Sequence, residues 1–281
     1  MDSTETPVAA PDALAAARPE PGALLDVAPR AARAASAVHA AYSGRTRVED
    51  WSLKGVADFV THVDHEAEAE ALRPIRSAFP AHAVLAEEGA PLAAAGSDGW
   101  LWIIDPLDGT TNYLHGYPEY CASVAVARGG ELLAGAVVSH GRGTEYAAAR
   151  GLGARRDGAP ISVSSIDRLE RALIGTGFPF KALELLDAYQ AQFARVLRAT
   201  AGVRRAGSAA LDLCQVAAGW FDGFWELRLA PWDIAAGALI VQEAGGVVSR
   251  LEHGQPLLAG GGYLAGNPAI HEQLGGLVRD A

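Results

Sequence analysis

Apolar positions along the chain fall into two rhythms. Short apolar runs at Ala83–Leu85 and Leu101–Ile104 end abruptly in acidic residues and predict buried strands. Runs at Ala122–Ala127 and Leu132–Val138 predict a hairpin turning at Gly129-Gly130. Ile161–Val163, Ala172–Thr176 and Gly223–Leu227 read as further strands, with a loop at Gly151–Ala159. Longer, alanine-rich stretches predict helices over Leu24–Tyr42 in spite of Pro29, Leu183–Thr200, Ala209–Ala218 and Trp232–Ala244. The last is stopped by Gly245-Gly246. Another helix is expected over Asp64–Phe79, with Asp64 as its cap, Glu66, Glu68 and Glu70 near its positive end, and Pro74 straining or dividing it. Strands and helices mix throughout, with no repeat, heptad run or long linker after residue 22. The class is therefore α/β (α+β), with layered sheets.

The first 22 residues stand apart, carrying four prolines and the acids Asp2, Glu5, Asp12 and Glu20. They read as a disordered leader without the basic start and apolar centre of a signal peptide. The remainder, 23–281, reads as one domain of two packed halves, about 23–150 and about 151–281. Half of all residues are apolar, ample for a core at this length. The longest candidate run, Ile234–Val241, is eight residues, well short of the roughly 18–20 that span a bilayer. A soluble, cytoplasmic protein without membrane contact is expected. Cys121 and Cys214 lie in apolar stretches and read as reduced core residues. Lys and Arg total 23 against 33 Asp and Glu, a formal net charge of −10, which speaks against nucleic acid as a partner. A chain this acidic needs local cations to act on an anion, and bound metal ions are the obvious source.

The most informative segment is Trp102-Ile-Ile-Asp105-Pro106-Leu107-Asp108-Gly109-Thr110-Thr111-Asn112. An apolar strand delivers Asp105, Pro106 turns the chain, and Asp108 follows three residues on, so both carboxylates can face one point. Gly109, Thr110 and Thr111 offer unpaired backbone N–H groups if a helix starts there, an arrangement that binds anions. Carboxylates for a hard cation beside amides for a phosphate suit metal-assisted phosphoryl transfer. Alone, this segment reads equally well as a tight turn with a capping aspartate. A second apolar run ends in Glu87-Glu88, however, and Asp233 opens a third apolar element after Pro231-Trp232. Buried-element ends that carry acids are costly unless solvated or bound to something, so three of them point to a shared metal. Asp105 and Asp108 are three apart, which breaks the D-x-D geometry of phosphoaspartate-forming phosphatases. No phosphate-loop G-x-x-x-x-G-K-[ST] and no C-x₅-R loop is present. His62 and His65 read as a surface pair. His115 reads either as a substrate contact or as a solvent-facing residue.

Glu87-Glu88, the Asp105–Asn112 run, Trp232-Asp233 and Glu243-Ala-Gly-Gly together resemble the inositol monophosphatase family. Lys54, Asp58, Thr61 and Asp64, then Gly177-Phe-Pro179, Gly207-Ser-Ala-Ala-Leu-Asp212 and Asn267-Pro268, extend the resemblance from about Lys54 to the C-terminus. It implies a layered αβαβα sandwich of the sugar-phosphatase type, a homodimer, two or three Mg²⁺ ions per site and sensitivity to Li⁺. It places metal binding in the first half and substrate binding in the second. By position, Glu87, Asp105 and the Leu107 carbonyl would hold one ion, and Asp105, Asp108 and Asp233 the second. Glu87 would help place a weaker third, with Asp64 nearby. Thr110 and Glu87 would orient the attacking water, and the Gly109 and Thr110 amides would hold the phosphate. Glu226 would contact substrate hydroxyls, in a pocket lined by Gly207, Ser208 and Ala209 with Asp108 and Asp233. The implied reaction is hydrolysis of a small phosphate monoester, with myo-inositol monophosphate foremost because Thr111-Asn112 looks like that branch. Histidinol phosphate, fructose 1,6-bisphosphate and 3′-phosphoadenosine 5′-phosphate are alternatives. A non-enzyme alternative is a regulatory binding protein on the same fold, since relatives of this family sometimes partner the transcription or RNA machinery. The intact carboxylates at 87, 105, 108 and 233 argue against a dead site. The long leader, and the missing proline in the Ser139–Thr144 turn, depart from the family pattern without touching the metal residues.

Overall fold

A computed structural model describes residues 21–45, 52–55, 58–89 and 99–279. All but the last two residues of the expected leader lie outside these, as do the side chains of Lys54 and Asp58. Pro21 and Gly22 already belong to the first helix.

The architecture is five layers. Helices α1 (Pro21–Tyr42) and α2 (His62–Ala78) pack together on one face of a seven-stranded sheet. That sheet runs in the order β3 (Ala83–Ala86), β4 (Trp100–Asp108), β5 (Cys121–Arg128), β6 (Glu131–Ser139), β7 (Thr144–Ala149), β8 (Ala154–Arg156), β9 (Ala159–Ile161). Within this sheet, among the described residues, only the β3–β4 pair is parallel. Helices α5 (Ala209–Ala217) and α6 (Pro231–Glu243) fill the middle. Beyond them a five-stranded sheet is ordered β11 (Gly202–Arg204), β10 (Leu173–Thr176), β12 (Gly223–Leu229), β14 (Gly261–Gly266), β13 (Val247–Arg250). The outer layer is α4 (Leu186–Ala199) and α7 (Pro268–Val278). The hairpin β1 (Ser52–Gly55) and β2 (Asp58–Val60) precedes α2, and a short helix α3 (Thr110–Leu114) follows β4.

Layering on both sides explains why the strands read as unbroken apolar runs. Alternate residues of one strand serve different cores. Trp102 and Ile104 face α1 and α2, whereas Ile103 faces α5 and α6. Phe224 likewise faces the middle layer and Trp225 the outer one. Small residues let the middle layer sit close: a Cβ added at Gly237 of α6 would lie 2.7 Å from Leu213 of α5, and one at Gly135 of β6 would lie 3.0 Å from the Ala236 backbone.

Several local expectations are revised. Helix α2 starts at His62 with Thr61 as its cap. Asp64 sits at the third helical position and accepts from the Thr61 N–H at 2.8 Å, a reciprocal capping box. Pro74 does not divide the helix. Strand β4 does not end at Ile104 but continues through Pro106 to Asp108. The expected loop at 151–159 contains β8, and the strand expected at 161–163 lies at Ala159–Ile161. Strands β1, β2, β7, β11, β13 and β14 and helix α7 were not apparent from the pattern, being short or rich in glycine and alanine. Two of the quoted motifs turn out to support the frame. Glu243 accepts from the Gly151 and Gly153 amides at 3.0 Å each, and Asn267 caps α7 through the Ile270 N–H at 3.0 Å.

Candidate metal and substrate site

In a regular strand, residues three apart point to opposite faces. Asp105 pairs with Ser123 and Asp108 with Cys121, so β4 spends two intervening residues against one on β5. This extra residue is a β-bulge, and it returns Asp108 to the face of Asp105. Pro106 is tolerated inside the strand because the bulge takes it out of the hydrogen-bond ladder. The buried His39 of α1 is within 2.8 Å of the Pro106 carbonyl through Nε2, and the Tyr113 hydroxyl donates to the His39 carbonyl at 3.1 Å. Helix α1 thus grips the chain at the bulge and again beyond it in α3.

Across the cleft, Pro231 starts α6 and Asp233 occupies its third position, accepting from the Ala230 N–H at 2.6 Å. One oxygen from each of Asp105, Asp108 and Asp233 lies within 4.8 Å of the others. The crowding shows in their acidities. Burial, then Glu87, Asp108 and Asp233, push the Asp105 carboxyl well above its usual range. Burial, then Asp108 and Glu87, push Asp233 up to about 8. Burial raises Asp108 too, against the Ser208 hydroxyl and Ala210 N–H that donate to it at 2.6 and 2.8 Å. Three converging carboxylates that resist ionisation are a donor set suited to a hard divalent cation, which would relieve their repulsion.

Glu87 follows β3, its N–H on the Ile104 carbonyl at 3.2 Å and its carboxyl hydrogen-bonded to Asp105. It lines the same cavity without joining the 4.8 Å group. Asp64 does not line the cavity. One of its oxygens serves the α2 cap and the other receives the Thr110 hydroxyl at 3.3 Å. That hydroxyl also lies 3.0 Å from the Leu107 carbonyl. Gly109 precedes α3 with φ +90°, and a Cβ there would come within 2.8 Å of the Glu119 carbonyl, so only glycine fits. Asn112 links the two halves, donating to the carbonyls of Glu119 at 2.7 Å and Ala206 at 3.0 Å. His115 is exposed and tied to the Thr111 carbonyl, outside the cavity, while His62 and His65 lie exposed on α2. Both cysteines are buried and unbridged.

The carboxylates stand at one side of a cavity of about 1170 Å³ between the halves. Its other walls include Gly207, Ser208 and Ala209 at the start of α5, and Glu226 on β12. Burial, then Asp233 and Asp108, push Glu226 up to about 8. Beneath it lies Gly177: a Cβ there would overlap the Glu226 carboxyl, so the glycine makes the niche that holds the acid. Lys181 and Arg205 also line the cavity, and both favour the charged forms of Asp108 and Glu226. The Arg205 guanidinium rests over Phe178 and Phe180, 5.3 and 5.0 Å from the ring centres. Gly177, Lys181, Arg205 and Asp212 were not picked out from the sequence as site residues. Only Gly177 and Asp212 carried a signal, as members of quoted motifs. Among the described residues no helix is long and apolar enough to cross a membrane.

Comparison with known proteins agrees with this fold. The profile of the inositol monophosphatase family matches residues 22–281. The Nus factor SuhB of Pseudomonas aeruginosa is 44% identical over 254 residues, covering 89% of this chain and 94% of that protein. The crystal structure of the extragenic suppressor protein suhB from Bartonella henselae superposes with a TM-score of 0.85 at 36% identity, covering 92% of this chain and 99% of that one. The inositol monophosphatase from Anabaena gives a TM-score of 0.81 at 40% identity, covering 92% and 95%.

Proposed function

This chain belongs to the inositol monophosphatase family, and on that premise we propose that it is a Mg²⁺-dependent phosphatase of small phosphate monoesters, with myo-inositol monophosphate as the first candidate substrate. The observation that carries the reading is the convergence of Asp105, Asp108 and Asp233 within 4.8 Å on a cavity that also holds Glu226 and the Gly109–Thr110 turn. Asp105, Asp108 and Asp233, with Glu87 and the Leu107 carbonyl, would hold the metal ions. When bound, Mg²⁺ lowers the pKa of water and offsets charge on the phosphate and leaving oxygens. The chain's own groups would do the rest. The Thr110 hydroxyl, its proton shared between Asp64 and Leu107, keeps lone pairs that can accept a hydrogen from the attacking water. Glu87 would act on the same water. The amides of Gly109 and Thr110 would bind the equatorial phosphate oxygens. Glu226 would receive hydrogen bonds from the hydroxyls of the alcohol part.

The test is phosphate release from inositol monophosphate, histidinol phosphate, fructose 1,6-bisphosphate and 3′-phosphoadenosine 5′-phosphate, with Mg²⁺ and with excess EDTA. Activity should require Mg²⁺ and be inhibited by Ca²⁺, whose looser coordination misplaces the reacting groups. Full activity in EDTA would overturn the mechanism. A homodimer and a cytoplasmic location are part of the same proposal, to be checked by light scattering and fractionation.

A second reading is supported by the 44% identity to a protein named as a Nus factor. In that reading the chain works as a Nus factor does, with or without turnover. A chain carrying Asp108→Asn that still met the Nus-factor requirement of a cell lacking its own would favour it. Loss of that function together with phosphatase activity would favour the enzyme.

A further inference from the structure

All nine residues of helix α5 are buried. Two of them, Asp212 and Gln215, carry a carboxyl or an amide. Gln215 is satisfied, donating to Glu119 at 2.7 Å. Asp212 is not: it is 1% exposed, and its Oδ1 has no hydrogen-bond partner among the described residues. A buried, unpaired carboxyl oxygen destabilises a fold, and native proteins keep few of them without cause.

Its position supplies the cause. Asp212 lies four residues after Ser208 and so on the same helix face. Ser208 is the cap of α5 and holds Asp108 through its hydroxyl. Both line the cavity that contains the three metal-type carboxylates and Glu226. Of the neighbouring acids, Glu226 acts most strongly on Asp212, ahead of Glu119 and Asp108. One carboxyl oxygen without a partner thus belongs to a residue on the wall of the cavity, near a second acid, Glu226, seated on Gly177.

We infer that Asp212 is a specificity-determining residue whose carboxyl exchanges a hydrogen bond with a hydroxyl of the substrate's alcohol part, alongside Glu226. The inference rests on the phosphatase reading and deepens it. The substrate class is a phosphate monoester of a polyhydroxylated ring or chain, with at least one hydroxyl for each acid.

The experiment compares kcat/KM of the full chain for myo-inositol 1-phosphate and for p-nitrophenyl phosphate, with Mg²⁺, in wild type, Asp212→Leu, Asp212→Ala and Asp212→Asn. The ratio of the two values should fall about tenfold to a hundredfold in Asp212→Leu and Asp212→Ala, the scale of one lost hydrogen bond to a charged or acidic group. Asp212→Asn, which can still donate and accept, should restore it to within about threefold. Asp212→Leu should melt no lower than wild type, because an unpaired carboxyl gives way to an apolar group of like shape. A ratio unchanged in the Leu and Ala variants overturns the inference and leaves the phosphatase reading standing. So does a wild type that cleaves p-nitrophenyl phosphate but no polyol phosphate. A wild type that cleaves neither overturns both.

Discussion

Replacing Asp233 by asparagine should flatten the pH dependence of stability in the metal-free protein. The folded chain holds the Asp233 carboxyl at about 8, whereas an unfolded aspartate titrates near about 3.9. Between these values the folded state keeps a proton that the unfolded state has released. Stability therefore falls as pH rises, by about 1.4 kcal/mol per pH unit for each such proton. The contribution is complete below about 3.9 and lost as pH passes about 8. Glu226, also held at about 8, has the same sign. His39 has the opposite sign, because burial lowers it to about 4 from an unfolded value near about 6.5, but its effect fades above that value. From about pH 6.5 to 7.5 the histidine effect is fading and is common to wild type and variant, so the difference between their slopes reports Asp233. Asp233 is partly solvent-exposed, which screens its neighbours, so only the local slope and not the full width of the shift is carried into free energy. A chain of this size moves roughly 2–4 °C in Tm per kcal/mol, so the wild-type slope should exceed that of Asp233→Asn by roughly 3–6 °C per pH unit. Calorimetric melting in EDTA at three pH values reads this directly. With saturating Mg²⁺ the trend should reverse, since cation binding requires the deprotonated forms. Equal slopes in wild type and variant, or a wild-type Tm that rises through the window in EDTA, would refute the crowded-carboxylate account.

Two further outcomes are expected. Asp108→Asn should abolish turnover while the metal-free Tm holds or rises, because the amide oxygen can still accept from Ser208 and Ala210 while one charge leaves the cluster; more than a tenth of wild-type kcat would remove Asp108 from the ligand set. Gly177→Ala should mimic Glu226→Gln, since its Cβ needs the space of the Glu226 carboxyl. Both should lower kcat/KM on polyol phosphates about tenfold to a hundredfold and spare p-nitrophenyl phosphate, and equal losses on both substrates would assign Glu226 to the metals instead.

What the sequence determined by itself was the inventory and its local setting. Acids at the ends of apolar runs marked Glu87, Asp105 and Asp108, and Pro231-Trp232-Asp233 marked the start of a buried helix. The layered class followed from strands and helices mixed along the whole chain, and the unbroken apolar strands are explained by the structure, which covers them on both faces. The tertiary structure decided what those residues meet. A period-two strand would have sent Asp105 and Asp108 to opposite faces, and only pairing with β5 shows the bulge that reunites them. Asp64, read as the cap of its helix, does close that cap with Thr61, but its second partner, Thr110, lies 46 residues away and is invisible to a local pattern. The niche at Gly177, the clasp of Asn112 on the second half and the orphaned oxygen of Asp212 are likewise facts about partners distant in the chain. Sequence periodicity records which face a side chain takes, but the groups waiting on that face are chosen by packing between elements that fold together from far apart.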